Sequence, residues 1–298
     1  MCSSDLGLDI DPTDGHVWGY ERCASGSAGG PGVNCDSNRV DPIFKFDRNT
    51  GEVLANFGAD LFVTPHGIHV DSDGNVWVTD FAGNEAGTRG HQVFKFSPTG
   101  KLLLTLGAAG VAGHGPDTFD RPTDVAVASN GDIFVTDGHG TNNRVVKFAQ
   151  DGRFIKAWGH TGTGPGEFNQ PHTIALDSAG RVFVGDRSNS RIQVFDPDGT
   201  FIVEWTQFGR PSGMFIDEND RLYVTDSTSN ARNNPGRKRG IYIGSARDGS
   251  VTAFIPDPDL DQQEQNRISG ASGITADLEG NVYAADVGPH RVRKHLAP

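Results

Sequence analysis

One short pattern recurs six times along this chain, and that recurrence limits the fold more than any other feature. It reads PHGIHVDSDGNVWVTD from Pro65, PTDVAVASNGDIFVTD from Pro122, PHTIALDSAGRVFVGD from Pro171, PSGMFIDENDRLYVTD from Pro211 and ASGITADLEGNVYAAD from Ala271. A divergent first copy, LGLDIDPTDGHVWGYE, opens at Leu6. Each copy reads as strand, Asp/Gly/Asn turn, strand. A third β-rich run follows (IFKF, VFKF, RVVKF, RIQVF, GIYIG, RVRKH), and then, in the first five copies, a fourth (EVLANFG, KLLLTLG, RFIKAWG, FIVEW, SVTAFIP). Four antiparallel strands repeated every 40 to 60 residues are the signature of a β-propeller blade. A two-sheet sandwich has no reason to repeat its motif six times.

The reading is therefore an all-β, six-bladed β-propeller in one domain, residues 7–298, with blades near 7–60, 61–110, 120–160, 169–208, 209–257 and 268–298. The last repeat stops after its third strand, which predicts a three-stranded sixth blade. The opening MCSSDL does not fit the pattern. Residues 1–6 read as a non-native leader, with the native amino-terminal end lost.

Charge narrows the partners. With 26 Lys+Arg against 38 Asp+Glu, the net charge is −12. That argues against a nucleic-acid binder, which shows a basic footprint. Arg232, Arg237, Lys238 and Arg239 form a local basic cluster, read as a solvated loop. No apolar run approaches the ~20 residues of a membrane-spanning helix, so no membrane partner is expected, and the chain reads as a monomer. Cys23 and Cys35 bracket a Gly/Ser-rich loop and are expected to form a disulfide. The bridge would favour an extracellular or periplasmic location.

Strand polarity gathers the chemistry. The start of each first strand and the end of each second strand share one face of the disc. At first-strand starts stand Leu6, His66, Thr123, His172, Ser212 and Ser272. His66, His172 and Ser272 fall in alternate blades, about 120° apart in a regular six-blade ring. Histidine is the commonest metal ligand, so His66 and His172 are candidate ligands. Arg22 and His139 follow second strands, each once only, and are candidate catalytic groups. Asp80, Asp137, Asp186, Asp226 and Asp286 recur at one position and read as structural carboxylates that tie down loop amides. The other histidines, His69 among them, read as solvated or packed.

These residues carry a resemblance. PHGIHVDSDGNVWVTD, QVFKF, RPTDVAVASNGDIFVTDGHGTNNRVVKF and QPHTIALDSAGRVFVGDRSNSRIQVF resemble the NHL-type propellers, and specifically the peptidyl-α-hydroxyglycine α-amidating lyase family. The resemblance implies a zinc held by three histidines of alternate blades, with an Arg and a Tyr completing the site. It implies cleavage of a carbinolamide C–N bond to a peptide amide and glyoxylate. By position, His66 and His172 match two zinc ligands and Arg22 matches the Arg. Three positions depart. Ser272 stands where the third ligand belongs and His139 where the Tyr belongs. Gly273 replaces an Asp linked to a structural calcium, so calcium has little support here. Either His139 or Ser272 is left as the third group of the metal site. Two functions follow: a zinc-assisted lyase-like or hydrolase-like enzyme acting on a small-molecule or peptide-derived substrate, or a non-catalytic NHL propeller that binds a ligand or protein.

Overall fold

A computed structural model describes residues 7–23, 35–258, 270–287 and 291–297. Residues 1–6, read above as a leader, lie outside the described residues. The first blade is β1 (Leu8–Ile10), β2 (Val17–Tyr20), β3 (Ile43–Phe46) and β4 (Val53–Phe57). The second is β5 (Pro65–Val70), β6 (Val76–Asp80), β7 (Gln92–Phe96) and β8 (Leu102–Leu106). The third is β9 (Pro122–Val127), β10 (Ile133–Asp137), β11 (Arg144–Phe148) and β12 (Phe154–Trp158). The fourth is β13 (Pro171–Leu176), β14 (Val182–Asp186), β15 (Arg191–Phe195) and β16 (Phe201–Trp205). The fifth is β17 (Pro211–Ile216), β18 (Arg221–Asp226), β19 (Gly240–Ser245) and β20 (Val251–Pro256). The sixth has three strands among the described residues: β21 (Gly270–Ala276), β22 (Val282–Val287) and β23 (Arg291–His295).

All pairings within the blades are antiparallel, in chain order. The first strands of successive blades pack side by side, and β1 packs on β21, so they ring a central channel. Between blades the core is aromatic and β-branched. Trp18, Tyr20 and Ile43 of the first blade pack with Val76, Val78, Phe94 and Phe96 of the second. Burying one such side chain contributes about 1.5–3 kcal/mol. The hairpin turns explain their own Asp. The Asp71 carboxylate accepts the backbone N–H groups of Asp73 and Asn75 and the indole N–H of Trp77, which fixes both turn and core ring.

The recurring acids hold the loops together. Asp80 accepts the amides of Val63 and Thr64, Asp137 that of Asp120, Asp186 that of Asn169 and Asp226 that of Arg210. Each clamps the loop that enters its own blade. Cys23 and Cys35 form a disulfide with Cα atoms 5.0 Å apart. The basic cluster does not act as one patch. Arg239 is fully buried and pairs with Asp257 at 3.3 Å.

Candidate functional site

A register shift places the first histidine. On β5 Pro65 pairs with Asp80, and the next pair is Ile68 with Val78, so the strand bulges at His66 and Gly67. A Cβ on Gly67 would lie 2.5 Å from the Thr123 carbonyl, so glycine is needed for the approach of β9. That approach brings the Thr123 carbonyl within 2.7 Å of His66 Nδ1. His172 sits in the equivalent bulge of β13, with its Nδ1 2.6 Å from the Ser212 carbonyl on β17. A carbonyl only accepts, so each Nδ1 carries the proton, and a neutral ring then keeps its lone pair on Nε2.

His139 arrives on a loop. It follows β10 in the run Asp137-Gly138-His139-Gly140. A Cβ on Gly138 would collide with the Pro171 carbonyl and ring, so the loop can lie against β13 only with glycine there. The His139 amide donates to the Arg121 carbonyl at 3.3 Å. Ring centroids are then 5.0 Å apart for His66 and His139, 4.8 Å for His66 and His172, and 5.0 Å for His139 and His172. One ring nitrogen of each lies within 4.8 Å of the others. Among the described residues this is the one His/Cys/Asp/Glu group so arranged.

The trio thus comes from three consecutive blades, the second, third and fourth. Ser272 is buried in the sixth and faces a small void of about 50 Å³ shared with His66 and His172. Arg22 reaches the site. Its Nε donates to the Pro65 carbonyl at 3.1 Å, and its guanidinium lies 6.0 Å from the Phe81 ring centre.

Three neighbours escaped the sequence reading. Phe81 stacks on His66 at 5.4 Å and meets His139 edge-on at 4.9 Å, forming an apolar wall. Arg121 lies 5.7 Å from the same ring centre. Arg187 Nη2 lies 3.4 Å from His139 Nε2. Each follows a second strand or precedes a first strand, so the same polarity argument reaches them. Their residue types alone marked nothing. Three guanidinium groups gather around the three imidazoles on an otherwise acidic protein. Such a grouping suits a carboxylate or another oxyanion.

A family profile described as "6-bladed beta-propeller" matches residues 119–223. The chain is 32% identical to peptidyl-glycine alpha-amidating monooxygenase B of Xenopus laevis, over 97% of this chain and 33% of that protein. It is 32% identical to peptidyl-alpha-hydroxyglycine alpha-amidating lyase 1 of Drosophila melanogaster, over 87% of this chain and 49% of the relative. It is also 36% identical to human NHL repeat-containing protein 3, over 78% of this chain and 67% of that protein. This chain belongs to the NHL-repeat propellers and is similar to the amidating lyases. It spans about a third to a half of the length of the Xenopus and Drosophila relatives. A solved gluconolactonase from Xanthomonas campestris superposes with a TM-score of 0.64, covering 99% of this chain and 87% of that one. At 15% identity that likeness shows the fold alone.

Proposed function

We propose that this family member is a metal-assisted lyase, with its site at the His66–His139–His172 rim of the channel and zinc as the metal. The convergence of three imidazoles within 4.8 Å carries the reading. Three nitrogen ligands with an open fourth position are the usual set of a catalytic zinc. His139 here supplies the third ligand, in place of a histidine at position 272. When bound, zinc would act as a Lewis acid and lower the pKa of an oxygen ligand. The carbonyls of Thr123 and Ser212 hold His66 and His172 in the tautomer that offers Nε2 outward. Arg22, braced by the Pro65 carbonyl, is placed to grip a substrate carboxylate or to stabilise developing negative charge. Phe81 excludes water from one side of the trio.

The proposed substrate is peptide-derived and ends in a carbinolamide, as the relatives' names indicate. The disulfide favours action outside the reducing cytosol. Among the described residues no helix is long and apolar enough to cross a membrane. The test is direct. Purified chain is titrated with zinc by calorimetry, then given a peptidyl-α-hydroxyglycine, and glyoxylate is measured. One zinc per chain, with glyoxylate release that falls on chelation and in His139→Ala, is expected. Absence of both zinc uptake and glyoxylate leaves the non-catalytic binding propeller.

A further inference from the structure

The opposite end of the channel holds a cavity of about 740 Å³, well within the ~300–1,000 Å³ of small-molecule sites. Its lining is mixed, and the apolar part includes Ile68, Val70, Val125, Ile174, Met214 and Ile274 of the first strands. Asp9, His69 and Asp124 also line it. His69 Nδ1 lies 3.1 Å from Asp9 Oδ2, while its Nε2 is buried with no hydrogen-bond partner. Asp124 accepts the Val125 amide at 2.9 Å, the Thr173 hydroxyl at 2.9 Å and the Ile174 amide at 3.0 Å. Among the described residues no lysine or arginine pairs with Asp9 or Asp124.

We propose that this lower cavity binds an organic monocation, an ammonium group on an apolar body, with the nitrogen beside Asp9 and Asp124. The count of charges supports it. Burial favours a neutral His69, but the hydrogen bond and charge of Asp9 outweigh it and raise the imidazole pKa. With Asp124 ionised, two carboxylates face one imidazolium, leaving one negative charge unmatched. Burial pushes the Asp124 carboxyl up to about 7, as expected of a group whose charge lacks a full partner. A bare metal ion fits less well, since these three side chains do not converge as the upper trio does. An apolar ligand body fits the apolar part of the lining. At the mouth, exposed Asp14, Glu218 and Glu279 outnumber Arg48 and Arg221, which steers cations inward.

The proposal is independent of the lyase reading, and its test separates the two. Full-length chain is titrated by calorimetry with n-hexylammonium and with the neutral isostere 1-hexanol. Hexylammonium should bind one to one and hexanol at least about tenfold more weakly, since only the first forms a charge-assisted hydrogen bond. Asp124→Asn should weaken the ammonium about tenfold. His69→Gln should tighten it several-fold, because a like charge is removed; a misfolded variant cannot do that. His139→Ala should leave it unchanged. Equal binding of hexanol, no binding of either probe, displacement by calcium chloride, or weakening in His69→Gln would each overturn the proposal.

Discussion

At its upper end the channel presents three imidazoles backed by Arg22, Arg121 and Arg187; at its lower end it presents Asp9, Asp124 and one imidazole over a partly apolar lumen. Both ends are built from the same ring of first strands. The upper end adds loop residues that occur once each, such as His139 and Arg187. At the lower end the hairpin-turn acids repeat from blade to blade, and Asp71, Asp177 and Asp277 are occupied by their own turn amides. Repetition therefore marks scaffold and singularity marks chemistry. The lower site is exceptional because Asp9 and Asp124 lie on first strands rather than in turns.

The largest effect should come from breaking the trio. His139→Ala should weaken zinc at least about 1,000-fold in a calorimetric or competitive-chelator titration, by leaving two ligands for a three-ligand site. Stability should change little, because His139 rides on a half-buried loop. His66→Ala and His172→Ala should lose zinc and also destabilise. Each removes a bond that joins two blades and orphans the carbonyl of Thr123 or Ser212, at about 1–3 kcal/mol in urea unfolding. Equal stability of all three variants would break this distinction.

Reducing the disulfide probes how firmly the upper end is anchored. Cys23 and Cys35 are 12 residues apart, a span for which a crosslink is worth about 3 kcal/mol. Cys23 follows Arg22 directly, and the Cys35 amide donates to the Val63 carbonyl at 2.8 Å, near the strand that bears His66. Cys23→Ser with Cys35→Ser should lower the unfolding free energy by about that amount. Hexylammonium binding at the far end should be untouched.

Much of this architecture was legible in the residues. Alternating apolar runs and Asp/Gly turns fix strands locally, so six repeats read as six blades. Strand direction then places His66, His172, Arg22 and His139 on one rim, where the structure finds them. What stayed open was the choice between His139 and Ser272. That choice depends on how closely the Gly138–Gly140 loop settles on the next blade, a packing fact with no periodicity. His69, read as solvated or packed, is part-buried beside Asp9, and only its place on the channel was not legible. Alternation assigns a residue to one face of its strand but does not say whether that face meets a neighbouring blade or the channel. The partner of His69, Asp9, comes from another blade and cannot be inferred from spacing.

Titration tests the scaffold between the two ends. Burial pushes the Asp80 carboxyl up to about 7 despite the amides of Val63 and Thr64. An unfolded Asp titrates near ~3.9. Between those values the native chain holds a proton that the unfolded chain has lost. Stability therefore falls as pH rises from about 4 to about 7 and levels off above. Unfolding at pH 5 and pH 8 should differ by about 1–3 kcal/mol from this group. Asp80→Asn should flatten that part of the slope, since Oδ1 alone can accept both amides. An unchanged slope would place the pH dependence in other buried acids, Asp124 first.

The smallest effect is the sharpest test of which group completes the trio. Ser272 shares the 50 Å³ void with His66 and His172, so a histidine there can reach the same centre. If His139 already supplies the third ligand, Ser272→His in the otherwise unchanged chain should alter zinc affinity less than about threefold, because the ligand set is complete. In the His139→Ala background the same change should restore at least about tenfold of the lost affinity. The two substitutions are then strongly non-additive, which is how a double-mutant cycle reports one shared function. Additive effects would mean that position 272 and His139 serve different centres. The lower end provides the control, since neither change touches Asp9, His69 or Asp124, and hexylammonium affinity should stay the same in all four proteins.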